Sequence, residues 1–223
     1  MTKDLFADLE VYHDDMPQSA AMNMAIDEAL LEMANIPSIR FYRWHSPSLS
    51  FGYFGRFADV VDYAAQRDLV RRWTGGGIVL HGDDLTYSVI IPARDSFFAH
   101  SSMSIYAGVH SAIRNALVAS GERAEMAPNE SPRVSESCFA SPVRADVLVN
   151  GRKVAGAAQR RTRAGLLHQG SIQQVDLVED FARHFAKELS ENCSERRIDN
   201  ELSDRAKEIA EKKYATQAWL RRR

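Results

Sequence analysis

The sequence predicts a single α+β domain, and three observations carry that reading. Apolar residues recur at helical spacing in two well-separated segments, 18–35 and 102–120. Short aromatic or β-branched runs bounded by Pro, Gly and Asp read as strands elsewhere. Asn150-Gly151 then sits between two such runs, the strongest short-range hairpin signal a sequence carries. No internal repeat or low-complexity linker divides the 223 residues, so 1–223 are expected to form one domain.

The elements follow in chain order. From Gln18 to Asn35 the residues Met22, Ala25, Ile26, Ala29, Leu30 and Met33 share one helical face, and Pro37 stops the segment. Ile39–Trp44 and Ser48–Phe54 are alternating strand candidates with Pro47 between them. Asp62–Asp68 is a short helix candidate, and Leu69–Trp73 a strand running into Gly75-Gly76-Gly77. Ile78–His81 and Leu85–Pro92 read as a strand pair about the turn Gly82-Asp83-Asp84. Ser102–Ser120 carries Ile105, Val109, Ile113, Ala116 and Leu117 on one face and closes on Gly121. Glu122–Glu136, poor in apolar residues and containing Pro128 and Pro132, reads as a surface loop. Asp146–Val149 and Arg152–Ala158 flank the Asn150-Gly151 turn, and Leu166–Gln173 is a third strand. Val178–Leu189 and Glu201–Ala215 are helical.

Composition narrows the class. Lys+Arg number 28 against 30 Asp+Glu, a formal net charge of -2, so nothing general points to a nucleic-acid or membrane partner. The first fifteen residues carry acids where a signal peptide needs a basic and then an apolar stretch, and no apolar run is long enough to span a bilayer. Two cysteines, Cys138 and Cys193, are too few for a disulfide framework and fit a reducing cytoplasm.

Three segments are candidates for chemistry. Arg71-Arg72-Trp73-Thr74-Gly75-Gly76-Gly77-Ile78-Val79-Leu80-His81 places three glycines after a strand, where they cost backbone entropy without packing return. They suit a backbone that approaches a ligand closely or converges amides on an anion, or simply a tight turn. No P-loop or G-x-G-x-x-G pattern is present. In Asn150–Gln159, strict alternation sets Lys153, Ala155, Ala157 and Gln159 on one face and Val154, Gly156 and Ala158 on the other. A lysine among such small neighbours is either a positioned cation or a solvated edge residue. Cys138 lies at the end of the Pro-containing loop; it is a nucleophile if a cation such as Lys153 lowers its pKa, and otherwise a small apolar residue. His81 and His168 each stand beside a glycine-containing motif, and no His or Cys spacing indicates a metal site. Arg160-Arg161-Thr162-Arg163 and Arg221-Arg222-Arg223 are basic clusters, solvated or suited to an acidic protein.

Taken in order, these segments resemble the lipoate–protein ligase and octanoyltransferase family, which shares its catalytic fold with biotin–protein ligases. The resemblance runs from Met22-Asn23-Met24-Ala25-Ile26-Asp27-Glu28 through the glycine loop and Asp84-Leu85-Thr86-Tyr87-Ser88. It continues through Cys138-Phe139, Gly151-Arg152-Lys153-Val154-Ala155-Gly156 and His168-Gln169-Gly170-Ser171-Ile172. It implies a mixed, largely antiparallel β-sheet flanked by helices, with Lys153 at the acyl carbonyl and Arg72, Thr74, Gly75, Gly76, Gly77 and His81 forming a wall of the acyl site. Gly156 and Ala157 would leave room for the chain, with His168 and Gly170 completing the site. The acceptor it implies is a lysine of a lipoyl domain, from a 2-oxoacid dehydrogenase or the glycine cleavage H protein. Two chemistries share the scaffold. In the transferases an octanoyl group passes from acyl carrier protein to a cysteine, here Cys138, without a cofactor. In the ligases ATP activates lipoate as an adenylate, and Asp146 would then lie near the nucleotide or its Mg²⁺. The triple glycine and Arg144-Ala145-Asp146 look ligase-like, whereas Cys138 and a length that leaves no room for a fused accessory domain favour the transferase. A non-catalytic lipoate-binding protein on the same fold is the third reading.

Overall fold

A computed structural model of the chain describes residues 4–128 and 142–222. Its strands are β1 (Leu9–His13), β2 (Ser38–Tyr42), β3 (Ser48–Phe51), β4 (Asp68–Arg71), β5 (Val79–His81), β6 (Leu85–Pro92), β7 (Ala124–Met126), β8 (Val147–Val149), β9 (Arg152–Arg161), β10 (Gly165–Ile172) and β11 (Cys193–Arg196). Its helices are α1 (Ala20–Met33), α2 (Ser102–Ala119), α3 (Phe181–Leu189), α4 (Asn200–Ile209) and α5 (Gln217–Leu220).

Among the described residues, a mixed sheet runs in the order β11-β1-β2-β6-β10-β9-β8-β7, and a smaller one in the order β4-β3-β5. The large sheet is antiparallel from β2 through β7 and parallel where β1 meets β2 and β11. That parallel pair requires a crossover, which α1 supplies. Ser19 caps α1 by accepting the Met22 N–H, and Ser101 caps α2 by accepting that of Ser104. Gly121, at φ +95°, follows α2 as the sequence predicts.

Both faces of the large sheet are covered. Ile105, Val109, Ile113 and Leu117 of α2 join Phe181 and Phe185 of α3 over Val89, Ile91 and Leu166. Met24, Ile26 and Leu30 of α1 join Leu202 and Ile209 of α4 over Ile90 and Leu167. Each such side chain contributes about 1.5–3 kcal/mol of burial energy, which offsets the entropy of ordering the chain.

The structure departs from the sequence reading in instructive places. β5 and β6 do not pair: β5 joins β3 in the small sheet and β6 lies between β2 and β10 in the large one, so Gly82-Asp83-Asp84 links two sheets. Period-2 patterning identifies strands but carries no information about partners. β1, β7 and β11 are absent from the sequence reading: β1 is an interior strand interrupted by charged and polar residues, β11 is a polar edge strand and β7 an edge strand of three residues. The short helix expected over Asp62–Asp68 is a 3₁₀ helix, Val61–Ala65, and Asp68 already belongs to β4; the last long helix ends in a π turn at Ala210–Tyr214. The Asn150-Gly151 hairpin is as predicted, with φ +51° and +75°. No helix among the described residues is long and apolar enough to cross a membrane.

Candidate active site

The glycine loop is held by side chains beneath it. Arg72, buried, donates from Nη2 to the carbonyls of Gly75 and Gly77 at 3.0 and 2.9 Å and from Nη1 to Ser50 Oγ at 2.7 Å. Thr74 donates its hydroxyl to Gln169 Oε1 on β10, and its carbonyl accepts the Tyr53 N–H, both at 2.8 Å. Gly76 stands at φ +86°, where glycine is required. The loop folds so tightly over Gly52 that a Cβ there would lie 2.0 Å from the Gly76 oxygen. A Cβ on Gly75, by contrast, meets nothing within 4 Å. His81 closes the segment, buried, stacked on Trp44 at 4.0 Å and held between Ser50 and Asp84.

Lys153 is placed by a β-bulge. Leu148 pairs with Lys153 while the preceding Val147 pairs with Ala155, so Val154 is an extra residue on β9. The bulge overturns the strict alternation expected here. A Cβ on Gly156 would lie 2.8 Å from Lys153 Nζ, so Lys153 shares a face with Gly156 rather than with Ala155 and Ala157. Its ammonium is buried and pairs with Asp146 Oδ2 at 2.8 Å. Asp146 has no exposed surface; Oδ1 accepts the Tyr106 hydroxyl at 2.5 Å and Oδ2 accepts the Val143 N–H at 2.7 Å. Tyr106 Oη also accepts the Ala157 N–H at 3.1 Å. His110, one turn further along α2, bonds through Nδ1 to the carbonyl of Ala145, whose φ is +68°.

The two groups meet across β10. Ser171 pairs with Gly156 on one side and sends its hydroxyl to Asp84 Oδ2, the partner of His81, at 2.7 Å. Arg72, Thr74–Gly77, His81, Lys153, Asp146 and Gly156 are thereby gathered about one stretch of sheet. Ala157, His168 and Gly170 lie on the opposite side. Ala157 and Gly170 are cross-strand partners, and a Cβ on Gly170 would overlap the Tyr87 ring at 2.3 Å. His168 is fully buried between Gln159 Nε2 at 3.0 Å and Tyr87 Oη at 3.3 Å, and burial pushes its pKa well below 6.5, helped by His110. Cys138 lies outside the described residues. Cys193 is half-buried in β11 against the Ser190 carbonyl, and burial pushes its thiol pKa up.

Several residues that build this site escape sequence reading. Ser50 and Tyr106 carry no motif of their own, and their contacts with His81 and Asp146 arise only from the tertiary fold; Asp84 opens a quoted motif, but its hold on His81 is not written in that motif. Gly52 carries a weak signal, a glycine inside the aromatic strand candidate Ser48–Phe54. Asp27 and Gln169 lie within quoted motifs, and Gln169 donates to Asp27 Oδ2 at 2.7 Å, tying α1 to the Thr74 contact.

This arrangement has known counterparts. Residues 19–213 match the family model described as lipoyl protein ligase A/B catalytic domain. The chain belongs to that family. Within it, a protein named octanoyltransferase LipM from Oceanobacillus iheyensis is 37% identical over 195 residues, covering 82% of this chain and 71% of its own length. Another of that name from Anoxybacillus flavithermus is 38% identical over 223 residues, covering 88% and 80%. In fold, the chain is similar to a bi-partite lipoate protein ligase from Thermoplasma acidophilum, at TM-score 0.70 and 22% identity over 96% of each chain.

The ligase reading places a magnesium ion near Asp146, and the fit of that residue to one can be tested. Its two oxygens are taken by Tyr106, Val143 and Lys153, and the carboxylate is fully buried. A dication needs several oxygen ligands and keeps water, so Asp146 as arranged does not fit one.

Proposed function

We propose that the protein is an octanoyltransferase of protein lipoylation, with residues 1–223 acting as one catalytic domain. It takes an octanoyl group from the thioester of an acyl carrier protein onto Cys138 and passes it to a lysine of a lipoyl domain, that of a 2-oxoacid dehydrogenase or of the glycine cleavage H protein. The observation that carries the reading is the buried Lys153 ammonium, held by Asp146 beside the side-chain-free Gly156. The names of the family relatives support the same chemistry.

In the first step the Cys138 thiolate attacks the octanoyl carbonyl, a new C–S bond forms, and the carrier's sulfur leaves and takes up a proton. In the second, the neutral amine of the acceptor lysine attacks the enzyme thioester. An amide bond forms, the Cys138 sulfur departs, and the amine proton is released. Negative charge gathers on the carbonyl oxygen in both steps. A cation already fixed at that oxygen lowers both barriers without reorganising during the reaction. Lys153 supplies it, while Arg72, Thr74, Gly75, Gly76, Gly77, His81 and Gly156 form the acyl wall. Ala157 contributes its backbone N–H to the hold on Tyr106, and His168 and Gly170, on the far face of β10, pack against Tyr87 behind the site. The thioester supplies the driving force, so this route needs neither ATP nor Mg²⁺.

Octanoyl carrier protein incubated with the purified chain should give an octanoyl adduct by intact mass, labile to hydroxylamine and absent in Cys138→Ala. Undiminished ATP-and-lipoate-dependent transfer by Cys138→Ala, with no adduct in the native chain, would overturn the cysteine route in favour of the ligase. Binding of lipoate or lipoyl domain without turnover from either donor would favour the non-catalytic reading.

A further inference from the structure

Ser50, His81 and Asp84 stand in the order of a hydrolytic triad. Ser50 Oγ lies 2.7 Å from His81 Nε2, and His81 Nδ1 lies 2.8 Å from Asp84 Oδ2. Ser50 is nevertheless fully buried, and its oxygen also accepts from Arg72 Nη1 at 2.7 Å. A nucleophile must reach substrate; this hydroxyl does not.

The proton order along the row follows from which groups can donate and from the charge on Asp84. Arginine only donates, so Ser50 Oγ accepts from Arg72. Asp84 is ionised: burial pushes its carboxyl up, but His81, Ser171 and the Gly82 N–H together hold it down at about 2. An ionised carboxylate only accepts, so His81 carries its proton on Nδ1 and faces Ser50 with a lone pair. The Ser50 hydrogen then points to Nε2. The groups around the ring agree with a neutral imidazole. Trp44 stacks on it from β2's end, Arg67 donates to its backbone carbonyl at 3.1 Å, and Arg72 approaches through Ser50. Burial, with Arg72 and Arg67 adding to it, pushes the His81 pKa below 6.5 against the opposing pull of Asp84.

We propose that Ser50, His81 and Asp84 are positioning residues, a one-way hydrogen-bond strut that orients Arg72 and through it the carbonyls of Gly75 and Gly77. Resting on the acyl-site reading above, the strut governs how the glycine loop receives the acyl chain. Asp84 is itself pinned from the large sheet by Thr86 at 2.8 Å and Ser171 at 2.7 Å. The loop therefore takes its register from the strands that carry the rest of the site. Protonation of His81 would turn a second donor on Ser50 and place a cation beside Arg72, releasing the loop at acid pH.

The test has two arms. Long-range ¹⁵N–¹H correlation spectra of the native chain should show His81 as the Nδ1–H tautomer, with Gly75 and Gly76 amide shifts that titrate together with its ring. In Ser50→Ala, shown folded by thermal melting, those glycine shifts should move and stop following the ring. In the octanoyl transfer assay Ser50→Ala should raise KM for the acyl donor about tenfold, the scale of one lost charge-assisted hydrogen bond, with kcat within about threefold. An Nε2–H tautomer, unchanged glycine shifts in Ser50→Ala, or an octanoyl adduct on Ser50 would overturn the strut. Correct tautomer and shifts in a chain that transfers no octanoyl group would leave the strut standing and overturn the acyl-site reading instead.

Discussion

Tyr106 donates its hydroxyl to Asp146 Oδ1 at 2.5 Å, and the other oxygen of that carboxylate holds Lys153. A residue on α2 thus orients the cation on β9 through a carboxylate that touches both. Burial, followed by the Asp146 charge, pushes the Tyr106 pKa up, so the phenol stays a donor throughout the working range.

Tyr106→Phe should therefore weaken catalysis more than acyl binding. It leaves one Asp146 oxygen and the Ala157 N–H without a partner, at a cost of about 1–3 kcal/mol in stability. We expect kcat to fall by about tenfold with KM little changed, because the Lys153 ammonium loses a fixed counter-charge. Steady-state kinetics with a parallel thermal melt separates the two effects.

Lys153→Ala should abolish transfer and destabilise the fold by about 3–5 kcal/mol, since it strands a buried carboxylate. The double variant with Asp146→Asn should recover much of the stability and none of the activity. Urea unfolding of both chains checks this, and near-normal turnover in Lys153→Ala would contradict the role assigned to it.

Gly156→Ala and Gly52→Ala should fail differently. The new methyl at Gly156 meets the far end of the Lys153 side chain at 2.6 Å from Cε, which can swing aside. Activity should drop by about tenfold or more with a small change in Tm. At Gly52 the methyl meets backbone, 2.0 Å from the Gly76 oxygen and 2.7 Å from the Gly75 carbonyl carbon, so stability and activity should fall together.

Acid should unfold the protein through its buried histidines. Burial pushes His110 from 6.5 down to about 4, with Nε2 left without a hydrogen-bond partner among the described residues, and burial also pushes His168 well below 6.5. Between those values the unfolded chain binds protons that the folded chain refuses. Stability is thus fully present above pH 6.5 and is lost as pH falls toward 4, by up to about 1.4 kcal/mol per pH unit for each histidine. Urea titrations across that window should show the slope, and His110→Gln should flatten it.

The sequence by itself determined the two long helices over 20–33 and 102–119, the Asn150-Gly151 hairpin and the position of the glycine loop, because local periodicity and turn chemistry are encoded within a few residues. It also determined the family, through motifs kept in order. It did not determine which face Lys153 occupies, since one inserted residue at Val154 reverses the parity of a strand and leaves no mark in composition. Nor did it pair Asp84 with His81 and Ser171, or Tyr106 with Asp146. Those partners sit up to 87 residues apart and meet only when the two sheets and α2 close on one another. Tertiary structure alone decided these contacts, because burial leaves each polar group no water and so obliges it to find a partner wherever the fold brings one.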